Sequence, residues 1–199
     1  GYSVSSQIRG QSDTRLVVVG LPEEETSGVL EISEGGPLPV SIEVSSLSTL
    51  TAFTRDPIVQ SGEELIGIVE SGARVTCLAI FHQGVPVLIR KFEFGGDQVV
   101  ECLMRQFDLD MDTARQSMSD QNFDLSGALL KPMESFLRQL SISKDFIERN
   151  TGTKIDRWFV TGGMSLLKYW CGLVSKTVGM EAKVWNPVEN LCLVELLLP

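Results

Sequence analysis

Residues 64–94 hold three β-rich runs in close succession, "ELIGIVESG", "RVTCLAIFHQ" and "VPVLIRKFEF". A glycine-containing turn separates the first pair and "QG" the second, a pattern that predicts an antiparallel meander. Along the middle run Thr76, Leu78 and Ile80 face one side, and Val75, Cys77 and Ala79 the other. Both sets are mostly apolar, so the sheet is expected to be covered on both faces. His82, beside the "QG" turn, reads as a solvent-exposed hairpin residue.

The flanking segments supply the covers. "GGDQVVECLMRQFDLD" stops the third strand at Gly95 and Gly96, offers Asp97 as a cap, and carries Val99, Val100, Leu103, Met104 and Phe107 at helical spacing. "DMDTARQSMSD" predicts a short helix behind Asp110 or Asp112. A longer helix follows, with Leu129, Leu130, Met133, Phe136, Leu137, Leu140, Phe146 and Ile147 on one face and Gly152 as its C-terminal stop. Pro132 should lie near its first turn or kink it. "KIDRWFVTGG", "MSLLKYWCGLVSKTVG" and "EAKVWNP" then read as strand, helix and strand, a βαβ unit. Trp158, Trp170 and Trp185 flank that unit and are expected in its core.

Upstream of "TRDPIVQSGEE", a junction with proline, glycine and charges, the pattern is weaker. Residues 1–13 show no periodicity and are expected to be a linker or tag. "RLVVVGLP" reads as a buried strand, Pro22 with Glu23–Glu25 as the first turn of a helix to about Glu34, and "PVSIEV" as an alternating strand. "SSLSTLTAFTRD" predicts a serine-capped helix presenting Leu47, Leu50 and Phe53. These elements make a small α/β unit over residues 14–56, followed by a larger unit over 61–199.

Composition removes several function classes. With 17 Lys plus Arg against 26 Asp plus Glu, the net charge is −9, and no basic cluster offers a surface for nucleic acid. No apolar stretch approaches the roughly 20 residues needed to span a bilayer, and the first residues are too polar for a secretory signal. A soluble, cytoplasmic protein is the expectation. Cys77, Cys102, Cys171 and Cys192 are dispersed in apolar settings without a CxxC pair, which suits reduced core thiols. The single histidine excludes a histidine-rich metal site.

Two features can carry chemistry. The turn at Glu70–Gly72, followed by Thr76, can bring backbone N–H groups to phosphate oxygens, with a carboxylate placed to hold a magnesium-bound water. Read alone, it is as well an ordinary hairpin. Thr161, Gly162 and Gly163 lead a strand into a helix, where N–H groups attract anions and the absent side chains admit a flat adenine or ribose. Read alone, that double glycine is as well a device for close packing.

Taken in order, these parts resemble the C-terminal half of the actin-like ATPase superfamily, and within it the PilM family of type IV pilus assembly, with FtsA as a cousin. The resemblance rests on "VESGARVTCLAIFHQGVPVLIRKFEFGGDQV", "FDLDMDTARQSM", "FLRQLSISKDFIERNTGTKIDRWFVTGGMSLLKYW" and "VWNPVE". It matches the family's second phosphate motif at Glu70, Gly72 and Thr76, and its arginine strand at Arg90 with Gly95 and Gly96. The short helix matches at Ala114, and the adenosine motif at Gly162 and Gly163. Residues 61–190 are covered well, and 14–56 only in outline.

The resemblance implies an α/β fold: an actin-like, ribonuclease H-like lobe with a mixed sheet flanked by helices, plus the small N-terminal subdomain. It implies ATP or ADP with magnesium at Glu70, Gly72, Thr76, Gly162, Gly163 and Met164, the metal being held through a water on Glu70. Three departures stand beside it. Glu70 replaces the usual aspartate, and its extra methylene shifts the carboxylate, which weakens the case for magnesium-assisted hydrolysis. The first phosphate hairpin has no match, and "LCLVELLLP" matches the closing helix poorly, as in a truncated or a divergent member. The implied role is a weakly nucleotide-binding or non-enzymatic module beneath the inner membrane. It would grip a short cytoplasmic peptide of a PilN-like membrane protein beside the 14–56 unit, with self-association as a further expectation.

An ATP-dependent ATPase or a small-molecule kinase lobe is the alternative. Asp97 and Asp156 are the only aspartates near glycine turns, and both read more simply as a helix cap and a strand-edge charge. Hydrolysis by a serine, histidine and aspartate set is weaker still, because no GxSxG elbow exists.

Overall fold

The computed structural model describes residues 2–6, 15–18, 20, 22–33, 35–37, 39–60, 62–119 and 126–189. Strand β1 (Tyr2–Ser6) pairs antiparallel with β2 (Arg15–Val18), so the first residues take part in a hairpin rather than lacking a fold. Helix α1 spans Glu23–Ile32, with Pro22 at its cap position, and α2 spans Ser45–Thr54. Between them "PVSIEV" belongs to no sheet among the described residues. Its alternation is real, since Ile42 and Val44 are half-buried and Ser41 and Glu43 exposed, but it has no ladder partner. The serines do not cap α2; Val44 holds that position, and its carbonyl accepts from the Leu47 and Ser48 N–H groups.

After the short α3 (Pro57–Gln60) comes the meander of β3 (Leu65–Ser71), β4 (Thr76–His82) and β5 (Val85–Phe92). Both pairings are antiparallel, and Gln83 and Gly84 both take positive φ at the tight turn. His82 is half-buried rather than exposed. Helices α4 (Gly96–Phe107), α5 (Met111–Ser119) and α6 (Ser126–Thr151) follow. The Asp110 carboxylate accepts from the Thr113 N–H and hydroxyl, each at 2.9 Å, which starts α5 and holds this carboxyl below its usual range. Gly152 ends α6 at φ +69°, with its N–H on the Glu148 carbonyl. Pro132 lies inside α6, in its second turn.

Strand β6 (Arg157–Thr161) leads through a 3-10 turn at Gly163–Leu166 to α7 (Lys168–Val178) and β7 (Ala182–Val184). The sheet order is β5-β4-β3-β6-β7, with β6 parallel to β3 and β7 parallel to β6. The expected single helix from Met164 is therefore split. The apolar end "LCLVELLLP" lies outside the described residues, as do the side chains of Leu129 and Leu130.

Two cores sandwich the sheet, as its two apolar faces require. The upper core takes Val69, Leu78, Ile80, Trp158 and Val160 from the strands and packs them under α4, α6 and α7. Phe94, Phe136 and Trp170 stack there with centroids 5.2 to 6.0 Å apart. The lower core takes Ile66, Ile68, Cys77, Ala79, Phe81 and Phe159, and α2 closes it with Leu50 and Phe53. Phe53 is fully buried and lies 5.0 to 5.6 Å from Phe81, Phe159 and Trp185. On α6 the stripe holds for Met133, Phe136, Leu140 and Ile147, but Phe146 points outward at 55% exposure; Phe107, at the end of α4, is likewise 44% exposed. Arg90 ties β5 to α6, donating to the Ser143 hydroxyl at 2.7 Å.

Gly67 sits where β3 crosses the Trp158 indole, and a Cβ there would lie 2.6 Å from the ring. Gly67→Ala should cost about 1–3 kcal/mol through overpacking, read as a lower urea midpoint at unchanged slope. An unchanged midpoint would mean that the indole does not press on this strand.

Candidate functional site

The turn from Ser71 to Val75 is held by its own atoms and by the start of α4. The Gly72 N–H donates to the Val75 carbonyl at 2.9 Å. The Gly72 and Ala73 carbonyls accept from Gly96 and Asp97 N–H at 3.1 and 2.8 Å, so two donors at the start of α4 are satisfied by the turn. The Asp97 side chain makes no capping bond to α4 but pairs with Arg74 of the turn at 3.6 Å, and Gly95 holds the cap position. A Cβ on Gly95 would lie 2.4 Å from the Ala73 carbonyl oxygen, which is why the strand must end in glycine. The Thr76 hydroxyl donates to the Phe94 carbonyl at 2.9 Å and completes the clamp.

The second glycine motif meets the same turn from the other side. Gly162 has φ +85°, and a Cβ on it would come within 2.5 Å of the Ser71 carbonyl oxygen. Gly163 differs: nothing lies within 4 Å of the position its Cβ would take. The Ser165 hydroxyl and N–H both donate to the Gly162 carbonyl, at 2.7 and 3.0 Å, and fix the turn that follows.

A cleft of about 470 Å³ opens at this point, lined by Glu70, Thr161, Gly162, Gly163, Trp185 and Asn186 among others. It lies at the carboxyl ends of the parallel strands β3 and β6, where the sheet order reverses, the position at which open α/β sheets hold ligands. Alternation puts Glu70 on the lower face with Ile68, and α2 reaches the cleft with Thr49. One carboxylate oxygen of Glu70, Oε2, is buried without a hydrogen-bond partner among the described residues. Such an oxygen is costly unless something supplies a donor. Cys77 stands opposite Glu70 in the strand pair, and burial, then the Glu70 carboxylate, pushes its thiol up to about 11.

Of the residues that the sequence singled out, Glu70, Gly162 and Gly163 come together in this cleft. Gly72, Thr76 and Met164 are not among its walls. Gly72 spends its N–H inside the turn, fully buried Thr76 faces the upper side, and Met164 is 3% exposed in the upper core. Trp185 is a packing residue, as expected, and also a wall. Its indole N–H donates to the buried Asp56 carboxylate at 2.9 Å, across 129 residues of sequence. No spacing rule reveals a pair 129 residues apart.

The cleft residues fit a nucleotide in part. The orphaned Glu70 oxygen needs a donor, and the Cβ-free face of Gly163 leaves room for a flat group. Among the described residues no group of three or more His, Cys, Asp or Glu is placed to hold a metal ion directly. A larger groove of about 1080 Å³ runs between β5, α4 and α6, with Arg90, Phe94 and Gln98 among its walls and none of Glu70, Gly72, Gly162 and Gly163. On its surface Arg105 pairs with Glu101 at 2.9 Å and Lys91 with Glu93 at 2.8 Å, and Arg90 donates to Ser143.

The two adjacent glycines should respond differently. Gly162→Ala is expected to destabilise by about 1–3 kcal/mol, because positive φ and the Ser71 carbonyl both oppose a side chain. Gly163→Ala should stay within about 0.5 kcal/mol, measured by denaturant unfolding. Equal losses at both positions would contradict the packing described.

The family model for type IV pilus assembly protein PilM matches residues 25–196. Among solved structures, the chain is similar to the PilM-PilN type IV pilus biogenesis complex, with a TM-score of 0.78 at 21% identity, covering 95% of this chain and 56% of that one. It is similar to MreB5 of Spiroplasma citri bound to ADP, with a TM-score of 0.56 at 18% identity over 84% of this chain and 62% of that one. It is also similar to Ta0583, an archaeal actin homolog, in complex with ADP, with a TM-score of 0.53 at 13% identity over 73% and 51% of the two chains. The chain thus spans little more than half the length of these structures. The likenesses establish an actin-like fold for the mixed sheet and its helices. With the family match extending over most of its length, the chain belongs to the type IV pilus assembly protein PilM family.

Proposed function

We propose that this chain is an assembly module of a type IV pilus machine, one that binds a nucleotide weakly in the β3–β6 cleft and grips a peptide of a membrane partner. The observation that carries the nucleotide half is that one cleft is lined both by Glu70, one of whose carboxylate oxygens is buried with no partner among the described residues, and by Gly163, whose Cβ position is open. Adenosine lies against the Gly162–Gly163 backbone in this reading. Glu70 holds a magnesium ion through water, and Gly72, Thr76 and Met164 support the turns behind it. The nucleotide is a bound ligand rather than a substrate, since the glutamate departs from the family's aspartate. The MreB5 and Ta0583 structures, both with ADP, support this use of the fold.

The partner half rests on family membership and on similarity to the PilM-PilN complex. The partner is a PilN-like inner-membrane protein whose short cytoplasmic peptide docks beside the 14–56 unit, the 61–199 lobe serving as its support. The module then works on the cytoplasmic side, held to the membrane through that partner, and self-associates there. No helix of the described residues is long and apolar enough to cross a membrane.

Thermal unfolding with and without millimolar Mg·ADP tests the nucleotide half. At about ten times the Kd the midpoint should rise by about 3 to 5 °C, and Gly163→Val should abolish the rise while leaving the ligand-free midpoint within a degree or two. Absence of any rise in the parent chain would sink this half. Calorimetric titration with the cytoplasmic peptide of a PilN-like protein tests the other half, and no heat of binding at micromolar to millimolar peptide would remove it.

A further inference from the structure

Trp185 is a wall of the cleft held by a residue far from it in sequence. Its ring meets Phe53 edge-on at 5.0 Å, and its N–H donates to Asp56 Oδ2 at 2.9 Å. Asp56 is 7% exposed and sits at the joint between α2 and α3; its other oxygen, Oδ1, accepts from the Ile58 N–H at 2.9 Å. One carboxylate therefore locks the joint and aims the indole. On the cleft side the Trp185 backbone N–H donates to the Val160 carbonyl at 2.8 Å, which extends the β7 pairing past Val184 and carries Asn186 and Pro187 to the mouth. Thr49, one helix turn before Phe53 on α2, forms the facing wall.

We infer that Asp56 is a positioning residue for the cleft: its bond to Trp185 fixes the wall against which the ligand packs and ties that wall to α2 and α3. A charged acceptor is suited to this. Hydrogen bonds to charged groups are stronger and more directional than neutral ones, and in a buried site they hold a single rotamer. An indole with an unpaired N–H would instead swing or admit water, and the wall would have to be ordered by the ligand at the expense of affinity. The inference rests on the nucleotide reading, and its test separates the two.

The test is a double-mutant cycle on Mg·ADP affinity, measured by calorimetry well below the unfolding midpoint of each variant. Trp185→Phe keeps the aromatic packing on Phe53 and removes the donor. Asp56→Asn leaves one acceptor oxygen for the Trp185 indole and Ile58 N–H donors that the carboxylate holds on separate oxygens. Each should weaken Mg·ADP binding by about tenfold, the scale of one charge-assisted bond, and the double variant should bind no worse than the weaker single. Asp56→Asn binding as tightly as the parent chain, or losses that multiply, would overturn the positioning role and leave the nucleotide reading standing. A parent chain that binds no Mg·ADP would overturn the nucleotide reading and this inference with it. One readout does not depend on the folding of Asp56→Asn. The Trp185 indole N–H, assigned by its loss in Trp185→Phe, should exchange slowly with deuterium in the ligand-free chain. Rapid exchange would show that no bond to Asp56 holds it.

Discussion

Everything in this lobe depends on how closely the chain can approach the turn after β3. Four consecutive residues, Ser71 to Arg74, are touched by the start of α4 on one side and by the end of β6 on the other. Gly95 and Gly162 are the contact points, and a single Cβ at either would collide with a carbonyl of the turn at 2.4 or 2.5 Å. Backbone against backbone leaves no slack, so the turn fixes both the first turn of α4 and the carboxyl end of β6. Gly95 and Gly162 are thus, in the first place, the glycines that make this junction possible.

From the junction the two faces of the sheet take different work. The upper face buries Thr76 and Met164 with the stacked rings of Phe94, Phe136 and Trp170. The lower face holds Phe53 among Phe81, Phe159 and Trp185 and then runs out beyond Glu70, where the cleft begins. A motif read as one string along the sequence is thus divided by the pleat. Glu70 faces the lower side and Thr76 the upper, because Glu70 pairs with Cys77 and Thr76 with Ser71, one step further along the ladder. That division explains why only Glu70, Gly162 and Gly163 reach the cleft.

What could be read from the sequence follows from the range of the forces involved. The meander, its two apolar faces, the Asp110 and Gly152 helix ends and the parallel return through "TGG" are set by local periodicity and turn chemistry, and all are legible. Segments whose state depends on a distant partner are not. "PVSIEV" alternates correctly yet pairs with no strand among the described residues, while the first residues, without any pattern, find a partner in β2. Phe146 falls on the outer side because it stands six residues after Leu140, off the stripe that Met133, Leu140 and Ile147 keep at intervals of seven. The bond from Trp185 to Asp56 joins two segments that look like ordinary packing and an ordinary junction. Only the folded chain brings them together.

The most direct test of the central claim is where a nucleotide touches this chain. Backbone-amide NMR during a Mg·ADP titration should move the signals of Thr161 to Leu166 and of Trp185 and Asn186, together with the Trp185 indole, and leave Arg90 to Gln106 unchanged. Shifts centred instead on the groove between β5, α4 and α6, or no shifts at millimolar ligand, would contradict the assignment of the cleft.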